Sequence, residues 1–317
     1  MNIEIITTPN DHMKETGFGT RKACDSFLES SIRIGHATKL NICRTKEDLD
    51  AVVNRKPNLV VLAVKYLPIE NEPDIWLSEY FSNHNISHTG SSRDVLKFDS
   101  DKILAKEQVM SFGIVTAKFF SATPQQHSCA NDLPLPFPLF LKPTDAANGS
   151  GVDDLSFVNN FIEFEEKVLS ITDLYDLPTL AEEYLDGPEF TVAILKTLHD
   201  GLIVSAVEII PAQSKNGCRI LGEKAKQENF EELKKIDNEE VKTCVLKLAT
   251  DSFLALGAEG FGRIDIKSTL DGRYLFMEAN LVPGMTSGSS YFPMACEIDS
   301  NLSYDKVVGL ILEQALG

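Results

Sequence analysis

The chain has 317 residues, of which 43% are hydrophobic and 24% charged, and its formal net charge is −17 at pH 7. This length and composition are typical of a soluble globular protein with a large core and two or three subdomains. The negative charge argues against a nucleic-acid partner, because nucleic-acid binding depends on cationic contacts to phosphate. No apolar run approaches the roughly 18–20 residues that cross a bilayer, so we expect no membrane partner.

The amino-terminal sequence MNIEIITT has no basic stretch leading into an apolar one. It therefore predicts a first buried strand and no secretory signal. The six cysteines are scattered, without C-x-x-C or Cys/His spacing. Reduced structural cysteines are typical of a cytoplasmic protein, and we predict a cytoplasmic location.

Residues 1 to about 92 alternate short apolar runs with helical patterns. Strands are predicted at IEIITT and PNLVVLAV, and helices at RKACDSFLESSIRIG and DIWLSEYFSNH. This βαβα order predicts a parallel sheet flanked by helices. A polar cluster at residues 91–94 marks the end of this unit.

The middle of the chain begins with a helix predicted from Asp99 to Phe112. The Pro-rich stretch LPLPFP predicts an irregular linker before the strand LFLKP, and the helix FIEFEEKVLSIT follows. The last domain is predicted to begin near Leu180. The predicted domains are therefore residues 1–92, 93–179 and 180–317, with no internal repeat.

The segment GFGRIDIKSTLDGRYLFMEANLVPGMTSGSS, residues 260–290, contains the clearest signal for chemistry. Two alternating apolar runs flank Asp271-Gly272, a pair that favours a tight β-hairpin with a two-residue turn. Alternation places every second side chain of each strand on one face of the hairpin.

A two-residue turn places Asp265 opposite Glu278 and Arg263 opposite Asn280, all on one face. Opposed Cβ atoms lie roughly 4.5–5.5 Å apart, and two bare carboxylates placed so destabilise the pair. A divalent cation removes this repulsion, and Asp, Glu and Asn supply the hard oxygen ligands that Mg²⁺ prefers. A solvated acidic face is the alternative interpretation. Arg263 and the following TSGSS run favour an anion site, because such segments supply N–H and hydroxyl donors.

The motifs GRID and FMEANLVPGMTSGSS resemble the carboxy-terminal signature of the D-alanine–D-alanine ligases, a family of the ATP-grasp superfamily. Three earlier segments resemble the family in order and spacing: HTGSSRDVLKFDSDKILAKEQVMSFGIVTAKF, PLFLKPTDAANGSGV and LAEEYLDGPEFTVAIL. The resemblance covers about residue 88 to the end. It implies an α/β ATP-grasp fold with an N-terminal parallel α/β domain, a small central α+β lid domain and a C-terminal α+β catalytic domain.

The resemblance also implies cofactors and site residues. The cofactors are ATP and Mg²⁺, with Mn²⁺ as an alternative ion, and the metal ligands are Asp265, Glu278 and Asn280. The ATP-binding residues are Lys102, Lys142, Glu182, Glu183, Tyr184, Leu185, Glu189 and Lys224. The catalytic residues are Arg263, Gly284, Ser150 and Lys226. The substrate-binding residues are Ser289, Gly288 and Glu15.

Within the ATP site, the resemblance implies that the lysines at 102 and 142 contact the phosphates and that Ser150 belongs to the loop closing over them. It assigns Glu182 to the adenine amino group, the Leu185 backbone to the base and Glu189 to the ribose hydroxyls. Glu183 stands where relatives commonly have a lysine. Without the resemblance, Lys142 would be interpreted as a solvated strand-end lysine, and the glutamates as an acidic surface loop.

Two departures concern the first substrate. Residues 211–230 occupy the place of a flexible loop that normally has a Lys-Tyr pair. Here Lys226 is preferred over Lys224, and no tyrosine follows either. The family's HGxxGEDG-like segment is replaced by AVKYLPIENEP. Glu15 lies roughly where the glutamate that binds the substrate amino group is expected, and a surface position is its alternative.

The second-substrate pocket is closer to the family pattern. Ser289 matches the serine that binds the carboxylate of the attacking amino acid. Gly288 replaces a histidine and Ser290 a leucine, which predicts a roomier or more polar acceptor site.

The sequence therefore predicts an ATP-dependent carboxylate–amine ligase that joins two amino acids through an acyl phosphate, the first of them not necessarily D-alanine. Its partners are small-molecule amino-acid substrates, and relatives suggest a homodimer. The alternative is a non-catalytic nucleotide-binding homologue with a regulatory or recruiting role. The lost His-Gly segment and the missing loop tyrosine favour that alternative.

Overall fold

The computed structural model describes residues 1–9, 17–18, 20–145, 150–199, 201–210 and 231–317. The first unit contains a parallel sheet with the strand order β2-β1-β3. Its strands are β1 (Asn2–Thr7), β2 (Ala37–Ile42) and β3 (Leu59–Leu62). Its helices are α1 (Arg21–Arg33), α2 (Lys46–Arg55) and α3 (Leu77–Asn83). The predicted parallel sheet is confirmed.

The predicted helix DIWLSEYFSNH is wrong at its start. Ile75–Trp76 forms β5, which pairs antiparallel with β4 (Tyr66–Leu67). The Tyr66 and Trp76 rings lie opposite each other with centroids 5.4 Å apart. Aromatic and β-branched residues favour such cross-strand pairs, and the helix starts only after them.

The predicted helix from Asp99 to Phe112 is also wrong, because two helices meet at Asp101. They are α4 (Arg93–Ser100) and α5 (Lys102–Ser111). Asp101 has an extended backbone, and its carboxylate accepts hydrogen bonds from the N–H groups of Ile103 and Leu104. This N-cap starts a new helix and makes Lys102 its first residue.

The second sheet is antiparallel, with the strand order β6-β9-β7-β8. Its strands are β6 (Phe119–Ala122), β7 (Leu139–Pro143), β8 (Phe157–Val158) and β9 (Thr179–Glu183). Helix α6 (Phe161–Tyr175) buries Phe164 and Val168 in one cluster with the sheet. The stretch LPLPFP forms neither helix nor strand, as predicted.

The third sheet has the strand order β12-β11-β10-β13-β14. Its strands are β10 (Glu189–Lys196), β11 (Leu202–Ile210), β12 (Glu232–Lys235), β13 (Phe261–Ser268) and β14 (Tyr274–Asn280). The helices that follow or interrupt them are α7 (Glu239–Ala255), α8 (Tyr291–Ser300) and α9 (Tyr304–Leu316). One apolar cluster joins this sheet to the first unit, and the Phe261 ring contacts both Phe18 and Phe292. The three domain ranges themselves remain a prediction.

Within the described ranges, no helix is both long and apolar enough to cross a membrane. The cysteines in that part of the chain are free thiols: Cys24, Cys43, Cys129, Cys244 and Cys296.

The β13–β14 hairpin has the predicted register at the acidic pair but a different turn. The Thr269 N–H donates to the Arg273 carbonyl, so the connection has three residues, with Gly272 at φ 89°. A left-handed glycine at the end of a three-residue loop is a common hairpin closure. The two-residue turn was therefore wrong. A register shift between Asp265 and Ile266 compensates for the extra residue.

Asp99 joins three segments that are distant in sequence. Its Oδ1 lies 3.0 Å from the Nζ of Lys65, and both side chains are mostly buried, at 13% and 6% exposure. Its Oδ2 accepts hydrogen bonds from the N–H groups of Leu281 and Val282, directly after β14. One carboxylate thus holds the N-terminal unit against the segment that leaves the hairpin.

We predict that Asp99→Ala lowers the free energy of unfolding by about 3–5 kcal/mol, because it removes the carboxylate from a buried ion pair with Lys65. The Leu281 and Val282 N–H groups also lose their acceptor. Urea denaturation of the two proteins measures the difference.

Asp94→Ala is the matched control on the same helix. The Asp94 side chain is 86% exposed and pairs with Lys97 at the surface. Its loss should change the unfolding free energy by less than ~0.5 kcal/mol. Equal losses in the two variants would contradict a specific role for the Asp99 junction.

Candidate active site

The predicted acidic pair lies on the face of the hairpin formed by β13 and β14. Asp265 pairs with Glu278 and Arg263 with Asn280, which confirms the predicted register. Asp265 is buried, and its Oδ1 accepts hydrogen bonds from Thr191 Oγ1 at 2.7 Å and Arg263 Nε at 3.0 Å. Its Oδ2 accepts from Arg263 Nη2 at 2.9 Å and Asn280 Nδ2 at 3.3 Å. Two of the predicted side chains, Arg263 and Asn280, therefore bind the Asp265 carboxylate together with Thr191.

This donor set fits a hard divalent cation by its chemistry. Two carboxylates and one amide oxygen stand on adjacent strands, and Asn280 uses its nitrogen, leaving its oxygen for another partner. In the part of the chain that is described, no group of three or more His, Cys, Asp or Glu side chains could hold a metal ion. Among the described residues, a metal here would therefore use the Asn280 amide beside the two carboxylates.

The Arg263 guanidinium is fixed on its edge and on its face. Asp265 binds the edge through two hydrogen bonds, and the Tyr291 ring covers the face, with its centroid 5.4 Å from the guanidinium carbon. Burial opposes the charge, but the Asp265 carboxylate outweighs it and raises the pKa of Arg263 above its usual value. Arg263 is therefore a permanent, oriented cation.

A second charged group lies inside the protein between α5 and the second sheet. The Glu182 carboxylate lies 2.6 Å from Lys106 Nζ and 2.8 Å from Lys142 Nζ. All three side chains are at most 8% exposed. Lys106 also donates to Thr116 Oγ1, which donates to the Phe276 carbonyl of β14. The Lys106–Glu182–Lys142 triad therefore connects both sheets.

Electrostatics favour the charged forms of Glu182 and Lys142 in this triad, while burial disfavours that of Lys106. Burial raises the pKa of Glu182, but the two lysines outweigh burial and hold that pKa below its ordinary value. Burial likewise opposes the charge of Lys142, and Glu182 and Glu278 together raise its pKa. Burial dominates at Lys106 and lowers its pKa, because Glu182 compensates it less completely.

Lys102 lies at the first position of α5 and is buried. Burial lowers its pKa, while the nearby Glu278 carboxylate opposes that effect and Lys142 adds to it. The Glu278 carboxylate therefore raises the pKa of both predicted phosphate-binding lysines, Lys102 and Lys142, relative to burial alone. Lys102 lies at the start of α5, and Lys142 lies near the end of β7.

Ser150 stands at the edge of the predicted phosphate loop, beside Gly151. Gly151 has φ 78°, and a Cβ there would lie 2.5 Å from Pro143 Cγ. Only glycine fits this close approach, which brings the loop against the residue that follows Lys142.

The predicted adenine hinge, residues 182–185, has both polar and apolar contacts. Glu183 accepts a hydrogen bond from the Lys118 N–H at 3.0 Å, and the Tyr184 ring meets Phe157 with centroids 4.5 Å apart. Leu185 is buried in a small apolar cluster that also contains Ala117, Leu275 and Met277. Glu189, at the start of β10, pairs with Lys267 at 3.1 Å.

The loop after β14 forms a compact turn. The Thr286 N–H donates to Ser290 Oγ at 2.9 Å, and the Ser289 and Ser290 N–H groups both donate to the Thr286 carbonyl. Gly288 has φ 72° and is exposed, and Ser289 is half-buried. A Cβ on Gly284 would lie 3.0 Å from Ser290 Oγ, so the turn packs tightly against the backbone at 284.

Three predicted residues lie outside the described residues: Glu15, Lys224 and Lys226. The sequence analysis missed several residues of the site, among them Thr191, Lys106 and Tyr291. Lys106 follows Lys102 by four positions on α5, a spacing that places both on one helix face and could have identified it. Tyr291 carried no such signal, because its contact with Arg263 depends on how α8 packs on the sheet.

The comparison with protein families decides the relationship. The family model described as D-ala D-ala ligase C-terminus matches residues 108–313, more than half of the chain. The chain belongs to the D-alanine–D-alanine ligase family. It is therefore an ATP-dependent carbon–nitrogen ligase by class, and the recognised resemblance is confirmed.

Relatives within the D-alanine–D-alanine ligase family are similar over most of the chain. A D-alanine–D-alanine ligase of Marinomonas sp. is 27% identical over 231 residues, covering 72% of this chain and 69% of the relative. A D-alanine–D-alanine ligase of Alcanivorax borkumensis is 28% identical over 232 residues, covering 73% and 69%.

Solved structures show the same fold. The D-alanine–D-alanine ligase of Bacillus anthracis complexed with ATP has a TM-score of 0.76 at 20% identity, covering 100% of this chain and 97% of that one. The VanG D-Ala:D-Ser ligase of Enterococcus faecalis has a TM-score of 0.71 at 20% identity, covering 99% and 98%. The predicted ATP-grasp fold is confirmed.

We predict that Glu182→Gln lowers the free energy of unfolding by about 3 kcal/mol or more at pH 7, because it leaves two buried lysines without their shared carboxylate. The pKa of Glu182 is lower in the folded protein than its ordinary value. The stabilisation that its carboxylate gives to the fold is therefore complete above the ordinary pKa, and it is lost as the pH falls through the lowered pKa. The difference between wild type and variant, measured by urea denaturation, should therefore shrink in acid below about pH 4.

Glu183→Gln is the adjacent control. Its carboxylate accepts one backbone hydrogen bond, so its replacement should cost about 1 kcal/mol or less. A Glu182→Gln protein as stable as this control would show that the triad does not stabilise the fold.

Proposed function

We propose that this ligase joins two amino acids through an acyl-phosphate intermediate, with release of ADP and phosphate. The observation that supports the proposal is the convergence of the buried lysines at 102 and 142 and of Arg263 on the acidic hairpin face. In a chain of net charge −17, buried cations gathered at one place form a local anion site.

In the first step, a carboxylate oxygen of the first amino acid attacks the γ-phosphorus of ATP. The bond from that phosphorus to the β,γ-bridging oxygen breaks, and ADP is the leaving group. Lys102 and Lys142 would bind and orient the phosphates, and Ser150 would donate to them from the loop beside Gly151. The apolar cluster containing Leu185 would contact the base, with Glu182 at its amino group and Glu189 on the ribose.

In the second step, the neutral amine of the second amino acid attacks the acyl carbon. A tetrahedral oxyanion forms, the carbon–oxygen bond to phosphate breaks, and the amine proton passes to solvent. Arg263 and the N–H of Gly284 would stabilise the oxyanion, each such donor typically contributing about 3–4 kcal/mol. Ser289 would bind the carboxylate of the attacking amino acid.

Asp265, Glu278 and Asn280 would hold Mg²⁺, which when bound neutralises charge on the phosphates. The register that places the two carboxylates opposite each other supports this assignment. Mn²⁺ takes similar oxygen ligands and is the alternative ion.

Substrate identity is a finer part of the proposal. AVKYLPIENEP stands where the family has its His-Gly segment, which favours a first substrate other than D-alanine. The Enterococcus faecalis neighbour is a D-Ala:D-Ser ligase, so serine belongs among the acceptors to be tested. A homodimer and a cytoplasmic location remain predictions of the resemblance.

The experiment that tests this function is ADP release with Mg-ATP against single and paired D- and L-amino acids, with products identified by mass spectrometry. We expect amino-acid-dependent ADP release and a condensed product. ATP binding without turnover across the panel would favour the alternative, a non-catalytic homologue, which the absence of a tyrosine after Lys224 or Lys226 in the sequence supports.

We predict that Glu278→Gln lowers kcat by about a hundredfold or more, on the order of one lost transition-state contact, while the fold is retained. The reason is the loss of one metal charge from the hairpin face. Steady-state ADP release measures kcat, and calorimetry with a non-hydrolysable ATP analogue measures whether Mg²⁺-dependent affinity falls as well.

Glu232→Gln, on the exposed edge strand β12, is the control and should leave both quantities unchanged. Full activity in Glu278→Gln would remove Glu278 from the metal site.

A further inference from the structure

The contacts of Arg263 leave one part of its guanidinium for substrate. Asp265 occupies Nε and Nη2 through bonds of 3.0 and 2.9 Å. Among the described residues, no hydrogen bond engages Nη1. The Arg263 side chain is only 12% exposed, so this remaining edge is held in a confined place.

Two hydrogen bonds along one edge fix the plane of a guanidinium only while both acceptor oxygens keep their positions. The aromatic ring on its face restricts rotation about that edge, and a cation over a ring is attracted to it. Tyr291 supplies that ring, with its centroid 5.4 Å from the guanidinium carbon. Asp265 and Tyr291 together define both the direction and the plane of the Nη1 group.

Tyr291 is itself fixed at both ends. Its backbone begins α8, directly after Ser290, whose hydroxyl accepts the Thr286 N–H. Its own hydroxyl donates to Glu231 Oε1, directly before β12. Burial, reinforced by the Glu231 carboxylate, raises the pKa of Tyr291, so the hydroxyl stays a neutral donor.

The position of Tyr291 in the chain adds a second consequence. Ser289, the proposed contact of the acceptor carboxylate, stands two residues before it on the same turn. The tyrosine therefore connects the acceptor site to the cation that meets the developing oxyanion.

We propose that Tyr291 is a positioning residue that holds the Arg263 guanidinium in the plane required for amine attack, with Glu231 anchoring its hydroxyl. This inference rests on the proposed ligase function. It assigns to α8 an aromatic contact at the reacting centre, in a chain whose sequence has no tyrosine after Lys224 or Lys226.

The test compares Tyr291→Leu, which removes the ring, with Tyr291→Phe, which keeps the ring and removes the hydroxyl. Tyr291→Leu should lower the kcat of ligation by about tenfold to a hundredfold, the range expected when a reacting group is misplaced by about 1 Å. The affinity for a non-hydrolysable ATP analogue, measured by calorimetry, should stay within about twofold of wild type. Tyr291→Phe should restore most of kcat and lower the melting temperature, since Glu231 loses its donor.

Tyr274→Leu is the control for loss of an aromatic ring, since Tyr274 lies on β14 with its ring against Phe190. It should retain wild-type kcat. The side-chain Nε–H signal of Arg263 in ¹⁵N-arginine NMR spectra gives a readout independent of turnover. The signal should move in Tyr291→Leu and keep its position in Tyr291→Phe, because the phenylalanine keeps an aromatic ring over the guanidinium.

An active wild type with undiminished kcat in Tyr291→Leu would overturn the inference and leave the proposed function standing. So would an equal loss of kcat and ATP-analogue affinity, or an equal loss in Tyr274→Leu. A wild type that ligates no pair in the amino-acid panel would overturn the proposed function, and this inference with it.

Discussion

Asp265 and Glu278 face each other across β13 and β14, and this pairing of like charges constrains the rest of the site. Directly opposed carboxylates repel each other, and partial burial strengthens the repulsion because less water screens it. Cations on separate elements offset this repulsion. Arg263 binds Asp265 from within β13, while the lysines at 102 and 142 bring positive charge from α5 and β7 into the field of Glu278.

The same principle explains the interior of the second sheet. Glu182 stabilises two lysines that would otherwise be costly to bury, and one of them, Lys142, also feels Glu278. Through Thr116 the third member, Lys106, is bonded to the backbone of β14. The charges of the two sheets are therefore not independent: moving one sheet relative to the other changes the surroundings of every cation between them.

Much of the hairpin could be predicted because it depends on local rules. A period of two and an Asp-Gly pair define two strands and their facing residues, and the register at Asp265 follows. The size of the turn could not be predicted, because a register shift beside Ile266 absorbs the extra residue. The longer turn and the register shift offset each other, so Asp265 still faces Glu278.

The remaining contacts depend on tertiary packing. Ion pairing of Glu182 with Lys106 requires a helix and a strand to meet, and no spacing within either element specifies that meeting. The break between α4 and α5 was, in contrast, visible in principle, since an aspartate directly before the first residue of a helix is a common N-cap. The apolar periodicity continues across Asp101, and it concealed the cap.

The Asp99 junction limits where recombination between this enzyme and its relatives can exchange a segment of the chain. Lys65 belongs to the segment that departs most from the family pattern, yet its carboxylate partner lies on α4 and also binds the backbone after β14. A recombination event with a crossover between residues 65 and 99 would take Lys65 and Asp99 from different parents and so separate this buried pair. A crossover beyond α4 keeps Lys65 with Asp99, and the partners of Asp99 after β14 are backbone N–H groups that any side chain leaves in place. The amino-terminal unit together with α4 can therefore be inherited as one module while the side chains of the hairpin diverge.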